Sequence, residues 1–193
     1  MRIALIQMSS GSQNNSDNVA KACDFIDKAA KETPDLIVLP ELFNTGYFCM
    51  YRDFKNFERA ERDDGPSVRV IKEKAKQHKT SIVAPIYEET APGLYYNTAI
   101  LLNENGDITG KFRKIHPAAQ RSLEKIYYRN GTKIPIFEIG GFKMALLICY
   151  DVDIPETPRC AALAGAELIV APYCIVAYHL SPEASNNPSE VMD

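Results

Sequence analysis

The chain has 193 residues, of which 46% are hydrophobic and 24% are charged, and it carries a formal net charge of −3. This composition is typical of a soluble globular domain and excludes disordered, collagen-like and coiled-coil classes. Because lysines and arginines are dispersed without a basic stripe, we expect no nucleic-acid partner. The length suits one sizeable hydrophobic core, so we predict a single domain.

Membrane and secretory signals are absent from the sequence pattern. The longest apolar run, residues 144–149, is far shorter than a membrane-spanning helix, so no membrane partner is expected. The opening sequence MRIALIQMSS lacks the composition of a leader peptide, which favours a cytoplasmic location. Five cysteines without CxxC spacing indicate reduced thiols rather than a disulfide framework or a zinc site.

The N-terminal half is predicted to alternate strands and helices. Continuous apolar runs mark the strands, and apolar positions three or four residues apart mark the helices. In chain order the elements are a strand at 2–8, a helix from 17, a strand at 36–39, a helix from 65 and a strand at 81–86. Ser16 or Asp17 is the predicted N-cap of the first helix.

The C-terminal half is predicted to contain antiparallel hairpins, because Asn105-Gly106 and Gly140-Gly141 tolerate the positive φ of tight turns. The elements are strands at 98–102, 108–115, 137–139 and 142–149, a helix at 155–164 and a strand at 167–171. Together they predict an α/β fold with a mixed sheet flanked by helices. Residues 181–193 are polar and are predicted to form a disordered tail, which leaves residues 1–180 as the domain.

Three side chains with complementary chemistry follow predicted strands: Glu41, Lys114 and Cys149. Each alone is ordinarily a surface charge or a buried cysteine. Their shared placement at strand ends favours a common cleft that holds an acid, an amine and a thiol. The helix predicted after Cys149 is expected to offer positive partial charge and so to favour the thiolate.

The sequences around these residues resemble the motifs of the nitrilase superfamily, the carbon–nitrogen hydrolases that use a Glu-Lys-Cys triad. The similar segments occur in the family's order and are LPELF at 39–43, FRKIH at 112–116 and LICYD at 147–151. The resemblance implies that Glu41, Lys114 and Cys149 are catalytic. The segment at 123–128 resembles the one that carries a second glutamate in the family, which implies that Glu124 is a fourth active-site residue.

The resemblance covers about residues 2–172 and implies an α-β-β-α sandwich with mixed sheets. Family members continue well beyond this length, so the fold is expected to be incomplete at its C-terminal side. The family dimerises through the region of the predicted helix at 155–164, which implies a homo-oligomer.

The resemblance implies hydrolysis of an amide or N-carbamoyl C–N bond through a cysteine thioester, with release of ammonia and no cofactor. The partner is then a small-molecule amide or carbamoyl substrate, with a leaning towards N-carbamoyl compounds. Tyr47 and Tyr150 adjoin the motif residues and are candidates to line the substrate pocket.

Three alternatives to a nitrilase-type hydrolase deserve consideration. The first is a non-catalytic fragment or pseudoenzyme that associates with a partner subunit. An isochorismatase-like hydrolase would need an acid in the first strand, and residues 2–8 contain none. Asp151, Asp153 and Glu156 resemble an oxygen-ligand set, but acids just before a helix more simply cap it, so we expect no metal.

Overall fold

The computed structural model describes residues 1–120 and 122–174. The predicted tail at 181–193 and the domain limit at residue 180 lie outside these residues. No helix in the described part of the chain has the length and apolar character needed to cross a membrane.

Five strands form the first sheet, in the order of the chain. They are β1 (Ile3–Leu5), β2 (Leu36–Val38), β3 (Ser81–Ala91), β4 (Leu94–Leu102) and β5 (Ile108–Arg113). The first three run parallel, and the last three are joined by antiparallel pairing, so the sheet is mixed. Helices α1 (Asn15–Ala29) and α2 (Pro66–His78) connect the parallel strands, as parallel pairing requires a long crossover.

Three strands form the second sheet, which is also mixed. They are β6 (Ile136–Ile139), β7 (Phe142–Leu146) and β8 (Leu168–Val170), with β6 antiparallel and β8 parallel to β7. The short helix α3 (Glu124–Tyr127) precedes this sheet, and α4 (Glu156–Leu163) connects β7 to β8. The remaining helical segments are 3-10 turns at Ala30–Glu32, Phe54–Arg59 and Cys149–Asp153.

Two hydrophobic clusters hold these layers together. On one face of the first sheet, side chains of α1 and α2, among them Ile26 and Ile71, pack against strand residues such as Ile82. On the other face, Phe112 of the first sheet and Met144 of the second belong to one buried cluster. This pattern confirms the predicted mixed α/β architecture with two sheets packed face to face.

Several predicted boundaries were wrong. Asn14, not Ser16 or Asp17, caps α1, because its side chain accepts a hydrogen bond from the Ser16 N–H. The strand predicted at 81–86 continues to Ala91 and pairs with β4, a hairpin that the half-polar pattern of its second half concealed. The strand predicted at 108–115 ends at Arg113, so Lys114 lies just beyond it.

Candidate active site

Glu41 lies three residues after β2 and is almost completely buried. Its Oε1 accepts hydrogen bonds from Lys114 Nζ and Asn97 Nδ2, both at 2.8 Å. Its Oε2 accepts the backbone N–H of Cys174 at 3.1 Å. Leu42, the next residue, has a φ of +53°. Such left-handed backbone is unfavourable for leucine and persists only where the surrounding structure enforces it, so the carboxylate is firmly oriented.

Lys114 is buried between two carboxylates. Its Nζ lies 2.8 Å from Glu41 Oε1 and 2.8 Å from Glu124 Oε1, and none of the three side chains is exposed. Its backbone N–H donates to the carbonyl of Asn97 at 2.9 Å, which continues the pairing of β5 with β4. A buried ammonium is tolerated only when it is paired, and the two carboxylates supply that pairing.

Glu124 begins α3 and is the second carboxylate that binds the lysine. Its Oε1 accepts hydrogen bonds from Lys114 and from the Tyr47 hydroxyl, the latter at 2.6 Å. Its Oε2 accepts the backbone N–H of Ala118 at 2.8 Å. With donors on both oxygens, the Glu124 carboxylate is fixed in one orientation.

Cys149 comes from the second sheet and begins the 3-10 turn that follows β7. Its backbone N–H donates to the carbonyl of Pro172 at 2.9 Å, and its φ is +45°. The half-buried thiol lies close enough to the Glu41 carboxylate for each group to shift the pKa of the other. The structure therefore brings the acid, the amine and the thiol together at the junction of the two sheets.

The charges in the site do not balance, because two carboxylates face one ammonium. Burial raises the pKa of Glu41, the positive charge of Lys114 lowers it, and the negative charge of Glu124 raises it again. The net direction is upward. Burial alone would lower the pKa of Lys114, but Glu41 and Glu124 outweigh it, so the lysine stays protonated.

The protonation state of the Cys149 thiol differs from the sequence-based prediction, which favoured the thiolate. Burial raises the pKa of Cys149, and the neighbouring Glu41 charge raises it further, although Lys114 opposes this. The expected helix effect does not compensate, because α4 begins only at Glu156. The Cys149 thiol is therefore neutral at rest, and it must lose its proton to a base before it can act as a nucleophile.

The two predicted pocket tyrosines have different surroundings. The half-buried Tyr47 directs its hydroxyl to Glu124 and to Ser122, at 2.6 and 2.7 Å. This places Tyr47 as a support for the glutamate. Tyr150 is half-buried and follows Cys149 in the same turn.

Sequence reasoning missed two residues that hold the site. Asn97 on β4 binds Glu41 through its side chain and Lys114 through its carbonyl. A polar residue beside the apolar run of that strand was the available signal. The sequence predicts that Asp151 caps the following helix, but it is completely buried and accepts three backbone N–H groups, one of them that of Ile148 at the start of the 3-10 turn.

In the described part of the chain, no group of three or more His, Cys, Asp or Glu side chains is arranged to hold a metal ion. Of the residues considered as an oxygen-ligand set, Asp151 binds backbone N–H groups and Asp153 accepts the Tyr173 hydroxyl at 3.0 Å.

Comparison with known families decides where the chain belongs. The model of the carbon-nitrogen hydrolase family matches residues 2–189, which is nearly the whole sequence. The chain belongs to the carbon-nitrogen hydrolase family. This agrees with the resemblance of its three motifs to the nitrilase superfamily.

Individual relatives and structures in this family are similar over much of the chain. A 2-oxoglutaramate amidase from Bacillus subtilis is 36% identical over 155 residues, which is 80% of this chain and 57% of that protein. The crystal structure of a carbon-nitrogen hydrolase from Helicobacter pylori has a TM-score of 0.86 at 24% identity, covering 98% of this chain and 65% of that one. The latter establishes the fold.

A third similar protein is a mutant of the amidase from Nesterenkonia sp. AN1, whose structure carries the acetamide moiety of fluoroacetamide covalently added at the active site cysteine. It is 26% identical, with a TM-score of 0.76, and the alignment covers 90% of this chain and 64% of that one. The chain spans between about half and two thirds of the length of the curated relatives it matches.

Proposed function

We propose that this protein hydrolyses the C–N bond of a small amide or carbamoyl compound, with Cys149 as nucleophile and ammonia as a product. The observation that carries the proposal is the buried arrangement in which Lys114 bridges Glu41 and Glu124 while the Cys149 thiol lies beside Glu41. An amide carbonyl placed beside this thiol meets a base, a nucleophile and a cation at once.

The first half of the reaction forms a thioester. Glu41 accepts the proton of the Cys149 thiol, and the sulfur attacks the carbonyl carbon. The oxygen of the resulting tetrahedral intermediate is negative, and the Lys114 ammonium stabilises it. Removal of one such donor costs about 3 to 4 kcal/mol in other enzymes. Glu41 then gives its proton to the nitrogen, the C–N bond breaks, and ammonia leaves.

The second half regenerates the enzyme. Glu41 accepts a proton from water, the hydroxide attacks the thioester carbon, and the C–S bond breaks as the acid leaves. The thiolate takes the proton back from Glu41. The raised pKa of Glu41 suits this double role, because it makes the carboxylate a stronger base towards the thiol and water, while the carboxyl group is still acidic enough to protonate the leaving nitrogen.

The Glu124 carboxylate has a different role in this proposal. It binds the same Lys114 Nζ atom as Glu41 and is itself fixed by Tyr47 and Ala118. Glu124 therefore holds the ammonium in place and balances its charge without accepting the thiol proton. Tyr47 acts through Glu124, and Tyr150 is proposed to contact the substrate because it adjoins the nucleophile.

Among substrates, we favour a short carboxylic acid that carries a terminal primary amide group over an N-carbamoyl compound. Support comes from the similarity to a 2-oxoglutaramate amidase and to an amidase whose cysteine reacts with an acetamide reagent. The N-carbamoyl class stays in the assay as the second candidate, since both classes present a carbonyl carbon bonded to an NH₂ group.

The test is ammonia release from a panel of short primary amides and N-carbamoyl amino acids. Cys149→Ala is the inactive variant, and Cys160→Ala is the matched control because Cys160 is exposed and outside the site. We expect turnover in the wild type and in Cys160→Ala but not in Cys149→Ala. Wild-type ammonia release no faster than that of Cys149→Ala would favour the non-catalytic alternative.

We also propose that the chain self-associates through α4. Leu163 on this helix is 74% exposed, and Cys160 and Ala164 beside it are exposed as well. Burying such a leucine is favourable, so an interface at this position is expected. Light scattering of the wild type and of Leu163→Glu tests it, and a wild-type monomer contradicts it.

A further inference from the structure

Asp151 is a fully buried carboxylate whose hydrogen bonds go to two separate stretches of backbone. Its Oδ1 accepts the N–H groups of Ile115 and His116 at 3.1 and 2.8 Å. Its Oδ2 accepts the N–H of Ile148 at 3.1 Å. The Nδ1 atom of His116 also lies 3.0 Å from Oδ1. The carboxylate thus ties the segment after β5 to the segment after β7.

These two stretches carry the reacting groups. Ile115 directly follows Lys114, and Ile148 directly precedes Cys149. Because both neighbours are bound by one rigid carboxylate, the backbone positions of the lysine and the cysteine are fixed relative to each other. Glu41 and Glu124 do not supply this link, since they bind the end of the lysine side chain.

Asp151 also closes the turn that contains the nucleophile. Its backbone N–H donates to the carbonyl of Ile148 at 3.0 Å, while its carboxylate accepts the N–H of the same residue. Between them lies Cys149, whose φ of +45° is unfavourable for a cysteine. A residue in this conformation needs a surrounding structure that enforces it, and the closed turn provides one.

A role in capping α4 does not explain these contacts. The helix begins at Glu156, its N-cap is Pro155, and no side chain caps it. Burial raises the pKa of Asp151, against the opposing effect of its hydrogen bonds, so the carboxylate is kept in an unfavourable environment. We attribute its burial to its contacts with the backbone beside the lysine and the cysteine.

We propose that Asp151 is a positioning residue that sets the separation between the Lys114 ammonium and the Cys149 sulfur. The inference rests on the proposed function, because it assigns Lys114 and Cys149 their roles. A donor to the oxyanion must lie within roughly 2.7–3.1 Å of it. A displacement of about 1 Å is enough to lower an enzymatic rate about 100-fold.

The first experiment compares Asp151→Asn with Asp27→Asn. The asparagine keeps one acceptor oxygen for Ile115 and His116 but turns an NH₂ group towards the Ile148 N–H, so the link to the cysteine turn is lost. Asp27 is the matched control because it also pairs with a histidine, His78 at 2.7 Å. It lies on α1, and its histidine lies on α2.

We expect Asp151→Asn to lower kcat about 100-fold while KM changes less than about threefold, and Asp27→Asn to leave both near the wild-type values. Thermal unfolding is measured for each variant. The inference is overturned if folded Asp151→Asn keeps wild-type kcat, if only its KM changes, or if Asp27→Asn loses as much kcat.

A second measurement does not need turnover. The Lys114 charge lowers the pKa of the Cys149 thiol, so displacement of the lysine should slow alkylation of this thiol. We expect iodoacetamide to label Cys149 about fivefold more slowly in Asp151→Asn than in Asp27→Asn at the same pH, as read by peptide mass spectrometry. Equal rates overturn the inference. If the wild type releases no ammonia, the proposed function fails, and this comparison still decides the role of Asp151.

If Asp151→Asn does not fold, Asp151→Glu takes its place, with Asp27→Glu as the control. The glutamate keeps the charge but is longer by one methylene, so it displaces the two backbone segments instead of releasing them. We expect slower alkylation of Cys149 and lower kcat than in the control. Wild-type rates in Asp151→Glu would show that the carboxylate serves stability alone, and the inference would be wrong.

Discussion

The Glu124→Gln substitution isolates the electrostatic effect of the second carboxylate on the proposed base. The glutamine oxygen can still accept hydrogen bonds from Lys114 and Tyr47, while its NH₂ group replaces the acceptor of the Ala118 N–H. The main change is therefore the loss of one negative charge next to Glu41.

The size of this effect follows from the geometry. Glu41 Oε1 and Glu124 Oε1 each lie 2.8 Å from the same Nζ atom, so they are at most twice that distance apart, about 5.6 Å. At an effective dielectric constant of about 20, two unit charges at this separation repel each other by about 3 kcal/mol. This energy corresponds to about 2 pKa units. The Glu124 charge raises the pKa of Glu41, so its removal lowers that pKa.

The assay is the pH dependence of kcat/KM for ammonia release, whose acid limb reports the pKa of the base in the free enzyme. We expect Glu124→Gln to shift this limb to lower pH by about 2 units. The maximal rate is expected to fall about 10-fold or more, because a neutral amide holds the Lys114 ammonium less strongly than a carboxylate does. Glu138→Gln, an exposed acid on β6, is the matched control. An acid limb that stays in place or moves to higher pH would refute this electrostatic reasoning.

Three further substitutions test other contacts. Asn97→Leu removes a donor to Glu41, so we expect the pKa of Glu41 to rise and the acid limb of the same profile to move to higher pH. Phe112→Ala opens a cavity between the sheets and should lower the free energy of unfolding by about 3 to 5 kcal/mol, measured with urea. A Cβ on Gly131 would lie 2.0 Å from the Arg113 carbonyl oxygen, so Gly131→Ala should displace the end of β5 and reduce ammonia release. Wild-type values in any of the three would contradict the contact concerned.

The side chains nearest the proposed reaction were accessible from the sequence, because each follows an apolar strand within a distinctive local pattern. Glu41, Lys114 and Cys149 were singled out in this way, and the structure brings them together. Glu124 was added by resemblance, and its Oε1 accepts a hydrogen bond from the lysine. Local pattern sufficed to single out each residue, although β2 and β5 are not adjacent in the first sheet and β7 lies in the second.

The supporting residues could not be found in the same way. Asn97 and Glu41 are 56 positions apart, and Asp151 reaches Ile115 across 36 positions, so no local pattern relates them. The predicted direction of the Cys149 pKa shift was also wrong, because burial and the Glu41 charge are properties of the tertiary structure. The hairpin between β3 and β4 was missed because its far end is polar and packs against aromatic side chains.

The two sheets divide the reacting groups between them. Glu41 and Lys114 follow strands of the five-stranded sheet, and Cys149 follows a strand of the three-stranded sheet, with the cluster around Phe112 and Met144 between the sheets. A core substitution that thickens or thins this interlayer therefore alters the gap between nucleophile and base. In this architecture the apolar filling acts as a spacer between the proposed nucleophile and the proposed base, so the proposed chemistry depends on side chains that contact no substrate.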